Sequence, residues 1–149
     1  MPSLSALEHQ LCFALYSAAR VTQAAYRPVL TELGLTYPQW LVLLALGEDD
    51  GATVSALGEH LHLDSGTVSP LLQRMETRGV VERRRVSRDG RQVTIHLTDD
   101  GRALLRRAPE VQDCLAAAVP LSPQEITTLR DLAHRLAAAP HQPGRPEQL

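Results

Sequence analysis

"TVSALGEHLHLDSGTVSPLLQRMETRG", residues 53–79, decides the fold. Val54, Leu57 and Leu61 recur at helical spacing and predict one short amphipathic helix. A turn at His62–Asp64 leads into a second helix, whose apolar face is Val68, Leu71, Leu72 and Met75 and whose end is Gly79. Two short helices joined by a tight turn predict a helix-turn-helix. Asp64 or Ser65 can cap the second helix, because a side-chain oxygen there accepts an otherwise unpaired backbone N–H. Pro70 lacks an amide hydrogen and predicts a bend in the first turn.

Working outward, "VVERRRVSRDGRQVTIHLT" (residues 80–98) changes to a period of two. Val93, Ile95 and Leu97 alternate with Thr94, His96 and Thr98, so His96 is predicted to face outward. Asp89-Gly90 is a hairpin signal, since glycine tolerates the positive φ of a tight turn. A two-stranded β-hairpin with an arginine-rich tip follows. Upstream, Leu4, Leu7, Leu11, Leu15 and Ala18 predict a long helix from about Ser5 to Pro28. "LGLTYP" breaks it, and "PQWLVLLALGE" forms a second, mostly apolar helix. Downstream, a helix from Asp99 to about Ala118 is expected to kink at Pro109. A last helix opens on Ser122, Pro123 and Glu125, a capping box. The polar, Pro-rich end is predicted to be disordered.

The fold class is therefore mainly α with a small β-hairpin: a winged helix-turn-helix held between N- and C-terminal helices. The expected divisions are 1–36, 37–98, 99–138 and a tail at 139–149. A chain of 149 residues suits one such domain without staples. Two cysteines 102 positions apart do not make a disulfide framework, and no apolar run reaches membrane-spanning length. A cytoplasmic protein with reduced thiols and no membrane partner is expected.

The net charge of −2 gives no hint of nucleic acid, but its distribution does. All fifteen basic residues are arginine, and Arg74, Arg78, Arg83, Arg84, Arg85, Arg88 and Arg91 fall within one short stretch. A basic stripe on an acidic body is the footprint of a nucleic-acid site. A recognition helix fits the major groove, with Ser65, Thr67, Ser69, Gln73 and Arg74 facing bases and phosphates. Gly66 allows close backbone approach. Arg88 and Arg91 at the hairpin tip suit the minor groove. Charge by itself also fits a solvated surface, and winged helices also serve as protein-interaction modules. His9 with Cys12, and His60 with His62, do not make a four-ligand metal set. No nucleotide loop and no Ser/His/Asp constellation is visible, so neither a cofactor nor an enzyme is expected.

The order of elements and the wing segment "RDGRQVTIHLTDDG" (88–101) resemble the MarR family of dimeric transcriptional regulators, over nearly all of Leu11 to Ala138. The resemblance implies that Arg91 is the minor-groove arginine and that Asp89 orients its surroundings. It also implies that the first and last helices interlock two subunits. Half-sites would then lie about 34 Å apart on double-stranded operator DNA. Three stretches, "LCFALYSAAR" (11–20), "AYRPVLTELGLTYPQW" (25–40) and "LDSGTVSPLLQRME" (63–76), are similar to the organic hydroperoxide-sensing, OhrR-type branch. That similarity implies that Cys12 is the sensing thiol and that Tyr26 and Tyr37 are phenols hydrogen-bonded to it. It further implies that organic hydroperoxides are the inducer and that a peroxidase removing them is the regulated product. Phe13, Tyr16 and Trp40 would wall the pocket, Trp40 standing where the branch has a tyrosine. Cys114 resembles the second cysteine of two-cysteine members, a possible resolving thiol, and equally an ordinary packing cysteine.

Helix rise adds a constraint. Tyr26 lies fourteen positions beyond Cys12, roughly 21 Å along a continuous helix, so it can meet only another subunit's Cys12. The thiolate is the nucleophile toward a peroxide, and phenol donors favour it. Cys12 is expected beyond the first helical turn, where the helix terminus contributes little. The rival readings are a repressor released by a phenolic small molecule, with Cys12 only packing, and a thiol peroxidase on a helical fold.

Overall fold

Side-chain caps set where the helices begin. In the computed structural model, which describes residues 6–86, 88 and 90–139, Thr36 and Gln39 cap each other's backbone at the start of α2 (Tyr37–Glu48). Thr53 caps α3 (Val54–Leu61), Asp64 caps α4 (Ser65–Arg78) and Thr98 caps α5 (Asp99–Leu105). Each satisfies an N–H that has no partner inside its helix. The predicted capping box of Ser122 and Glu125 opens α7 (Pro123–Ala137).

The first helix departs from expectation at both ends. A 3-10 turn at Leu7–His9 is followed by extended Gln10, with φ −84° and ψ 119°. α1 then runs Leu11–Glu32, straight through Pro28. Cys12 is therefore in the first turn, not beyond it. Pro109 does more than kink its helix. The chain forms α5 and a separate α6 (Ala108–Ala118). A proline ring clashes with the carbonyl four residues earlier, here Leu105, and α5 ends there. Pro70, by contrast, is carried inside an unbroken α4.

The described chain divides into two compact units at Ala118–Val119. In the first, α2 is the axis of the core: Trp40, Val42, Leu43 and Leu46 are buried. Leu57 of α3, Val68, Leu71, Leu72 and Met75 of α4, Val29 and Leu30 of α1 and Val111 of α6 join the same cluster. α3, the turn and α4 are the predicted helix-turn-helix. His62 makes the turn in the left-handed region, φ 54°, which histidine tolerates better than most residues.

The wing carries one strand more than predicted. β2 (Val81–Arg85) and β3 (Val93–Leu97) pair antiparallel, with Arg83 opposite Ile95. β1 (Ala52–Thr53) pairs with the other edge of β3, giving the order β1-β3-β2. Two residues are too few to show a period, so β1 left no signal. Gly101 joins the wing to α5, where a β-carbon would lie 2.1 Å from the Val80 carbonyl oxygen. The second unit is α7 with its leading loop. The Pro-rich tail at 140–149 lies outside the described residues.

Candidate nucleic-acid interface and thiol site

The outward face of α4 is polar because its apolar residues are spent on the core. Ser65, Thr67, Ser69, Gln73 and Arg74 are all exposed. Asp64 Oδ1 accepts both the Thr67 amide (2.9 Å) and the Thr67 hydroxyl (3.2 Å). Thr67 thus keeps only acceptor capacity toward a ligand. A β-carbon at Gly66 would stand 3.1 Å from that same Asp64 oxygen, so the glycine serves the cap as well as the open surface.

The arginine stripe is less uniform than its sequence. Arg78 lies at the surface but folds back on the backbone, donating to the carbonyls of Leu33 and Gly34. Arg83 pairs with Glu76 at 3.1 Å, and Arg84 with Glu82. Arg74, Arg85 and Arg88 make no ion pair among the described residues and are exposed, as is Arg91. Asp89 lies outside the described residues. Within the stripe, the exposed arginines without an ion pair among the described residues therefore lie on α4 and along the wing, where a major-groove helix and a minor-groove hairpin would need them.

His96 does not point to solvent as predicted. Its Nε2 is 2.8 Å from the Thr94 hydroxyl and its Nδ1 is 3.8 Å from Asp50. Asp50 also accepts the Leu97 amide at 2.8 Å and pairs with Arg102 at 3.0 Å, tying the wing to α5. His60 lies 3.8 Å from Glu48, an α3-to-α2 contact. Sequence reasoning missed Asp50. It also missed Arg107, which lies in the turn between α5 and α6 and reaches Glu110 in the first turn of α6 and Glu32 at the end of α1. Only the Arg107–Glu110 spacing was visible beforehand.

The second candidate site is divided between the two ends of α1. Cys12 is exposed in the first turn of α1. Phe13 is partly exposed, and Tyr16 is exposed with the Arg20 guanidinium 5.5 Å from its ring centroid. Tyr26, far along the same helix, stacks on Tyr37 of α2, centroids 5.6 Å apart and planes 24° off parallel. Burial pushes both phenols above the usual tyrosine range, and for Tyr26 the neighbouring Tyr37 adds to it. Both remain protonated donors at neutral pH. The structure thus brings Tyr26 and Tyr37 together and leaves the same chain's Cys12 roughly 21 Å away by helix rise. Trp40 is in the core. Cys114 is half-buried on α6 against the core.

Among the described residues no single helix is long and apolar enough to cross a membrane. Residues 33–92 match the family model for the MarR family. An organic hydroperoxide resistance transcriptional regulator of Bacillus subtilis (strain 168) is 40% identical over 91% of this chain and 92% of its own. The structure of reduced AbfR bound to DNA superposes with a TM-score of 0.72 at 35% identity, covering 88% of this chain and 90% of that one. That of disulfide-formed AbfR gives 0.63 at 34%, covering 88% and 90%. Recognition helix, wing and these likenesses lead to one conclusion: the chain belongs to the MarR family, as a DNA-binding transcriptional regulator and not an enzyme.

Proposed function

We propose that this protein is a homodimeric repressor that holds operator DNA while Cys12 is reduced and releases it when an organic hydroperoxide oxidises that thiol. The observation that carries the reading is the pair of half-sites: an exposed first-turn cysteine at one end of α1 and two stacked, protonated phenols toward the other. Two antiparallel α1 helices bring each cysteine to the other subunit's Tyr26 and Tyr37. The exposed apolar residues of α1 and α7 support such a dimer. The thiolate attacks one peroxide oxygen, and the O–O bond breaks. The organic alkoxide leaves and takes up a proton, and Cys12 becomes a sulfenic acid. Cys114, as resolving thiol, condenses with it, forming a disulfide and releasing water. The hydroperoxide-resistance relative and the disulfide form of AbfR both support this chemistry.

The DNA contacts in this reading are Ser65, Thr67, Ser69, Gln73 and Arg74 from α4 and Arg88 and Arg91 from the wing. A phenolic-ligand repressor is favoured by one observation, a cavity of about 320 Å³ lined by Arg27, Leu30, Leu35 and Tyr37 among others. Cys12→Ser separates the two. A duplex selected from random sequence by the reduced protein serves as operator. Wild type should lose affinity on stoichiometric cumene hydroperoxide, and Cys12→Ser should not. Release that survives the substitution unchanged would sink the redox reading.

A further inference from the structure

Between α1 and α2 the chain turns by 82°. Two structures are fastened to that corner, residues 33–36. On one side Tyr26 and Tyr37 stack across it. On the other, Arg78, the last residue of α4, donates from one guanidinium nitrogen to the Gly34 carbonyl and from the other to the Leu33 carbonyl. These carbonyls stand at the end of α1, where helix geometry leaves acceptors without partners. Gly34 takes φ +67°, which lets the Leu35 amide return to the Leu30 carbonyl at 2.8 Å and leaves its own carbonyl turned to Arg78. A β-carbon at Gly34 would lie 3.0 Å from the guanidinium. One cation thus closes the C-terminal ends of two helices, and both helix dipoles favour it there.

We propose that Arg78 is the positioning residue that couples the phenol pair to the recognition helix. This rests on the redox reading above. The planar fork holds two carbonyls at once, so it fixes orientation as well as distance, which a lysine point charge does not. When the chemistry at the phenols displaces the corner, the fork carries α4 with it. α4 has 14 residues. At about 21 Å of length, a rotation of roughly 5° about its Arg78 end moves its Ser65 end by about 2 Å. That is enough to break hydrogen bonds to base edges. Arg78 belongs to the basic stripe in sequence, yet its guanidinium is engaged with backbone, so its role is transmission and not phosphate contact.

The test compares operator affinity before and after hydroperoxide for wild type, Arg78→Lys and Arg78→Met, with the salt dependence of each reduced protein. The methionine variant should cut the reduced-to-oxidised affinity ratio by about 2- to 30-fold. Arg78→Lys should fall between it and wild type, and the salt slope should stay unchanged. A folded variant with the wild-type ratio overturns the coupling role; if the methionine variant does not fold, the lysine variant decides by the same criterion. A salt slope reduced by about 1 overturns it too, because Arg78 would then be a phosphate contact. If hydroperoxide leaves wild-type affinity unchanged, the redox reading itself fails, and the coupling role with it, before any Arg78 variant is made. If wild type is released and the methionine variant is released in equal measure, the coupling role alone fails.

Discussion

In α2, Trp40, Val42, Leu43 and Leu46 are each at most 1% exposed, whereas in α7, Leu129, Leu132 and Leu136 are 47–53% exposed. The winged lobe closes its apolar surface within one chain. The start of α1, with Leu11 and Tyr16 exposed, and Leu7 of the 3-10 turn before it resemble α7 in this. Several large apolar side chains left exposed on one element suit an interaction site. The difference teaches where a switch can be built. On the proposed function, the lobe that reads DNA is complete alone, while the cysteine sits in a segment that a partner subunit completes. On that reading, assembly, sensing and DNA spacing depend on the same helices.

The contrast can be broken most forcefully at Trp40. Trp40→Ala should cost about 3–5 kcal/mol, read as a fall in chemical-denaturation midpoint by circular dichroism. Leu129→Asp with Leu132→Asp should leave helical content intact and instead weaken the dimer. Both leucines are about half exposed in the single chain, so each has about 0.75 kcal/mol of burial left to gain, and the four copies in a dimer should together shift dissociation by about 100-fold in sedimentation equilibrium. An equal loss of fold stability in that variant would erase the distinction between the two regions. The smallest effect is in pH. The Tyr26 and Tyr37 phenols are raised by burial in the folded chain, so what they contribute to stability is fully present below the ordinary tyrosine range. It is lost as pH rises through their higher folded values. Ultraviolet titration should find two phenols ionising at higher pH in native protein than in urea.

The helix-turn-helix, the wing hairpin and most helix starts were legible because the signals are local: a repeat of three and four, a repeat of two, a capping side chain. What the sequence hid depends on distant partners. The charge of Arg78 is the same whether it meets a phosphate or the Leu33 and Gly34 carbonyls, 45 and 44 positions away. His96 followed its alternation but lay against Asp50, because the edge strand β1 and the loop before it fold over that face. Pro109 was visible, but whether a proline kinks or ends a helix depends on how the flanking segments pack. At the candidate thiol site the residues could be named in advance. Their separation along α1 followed from helix rise alone, and the break at Gln10 that moves Cys12 to a helix start did not.

Trp40 has one more consequence. It is the only tryptophan, and it is sealed in the lobe. Its emission is therefore a built-in optical gauge of the DNA-reading lobe. Fluorescence and circular dichroism, followed together through a melt, become two separate clocks, one for the lobe and one for the whole helical chain.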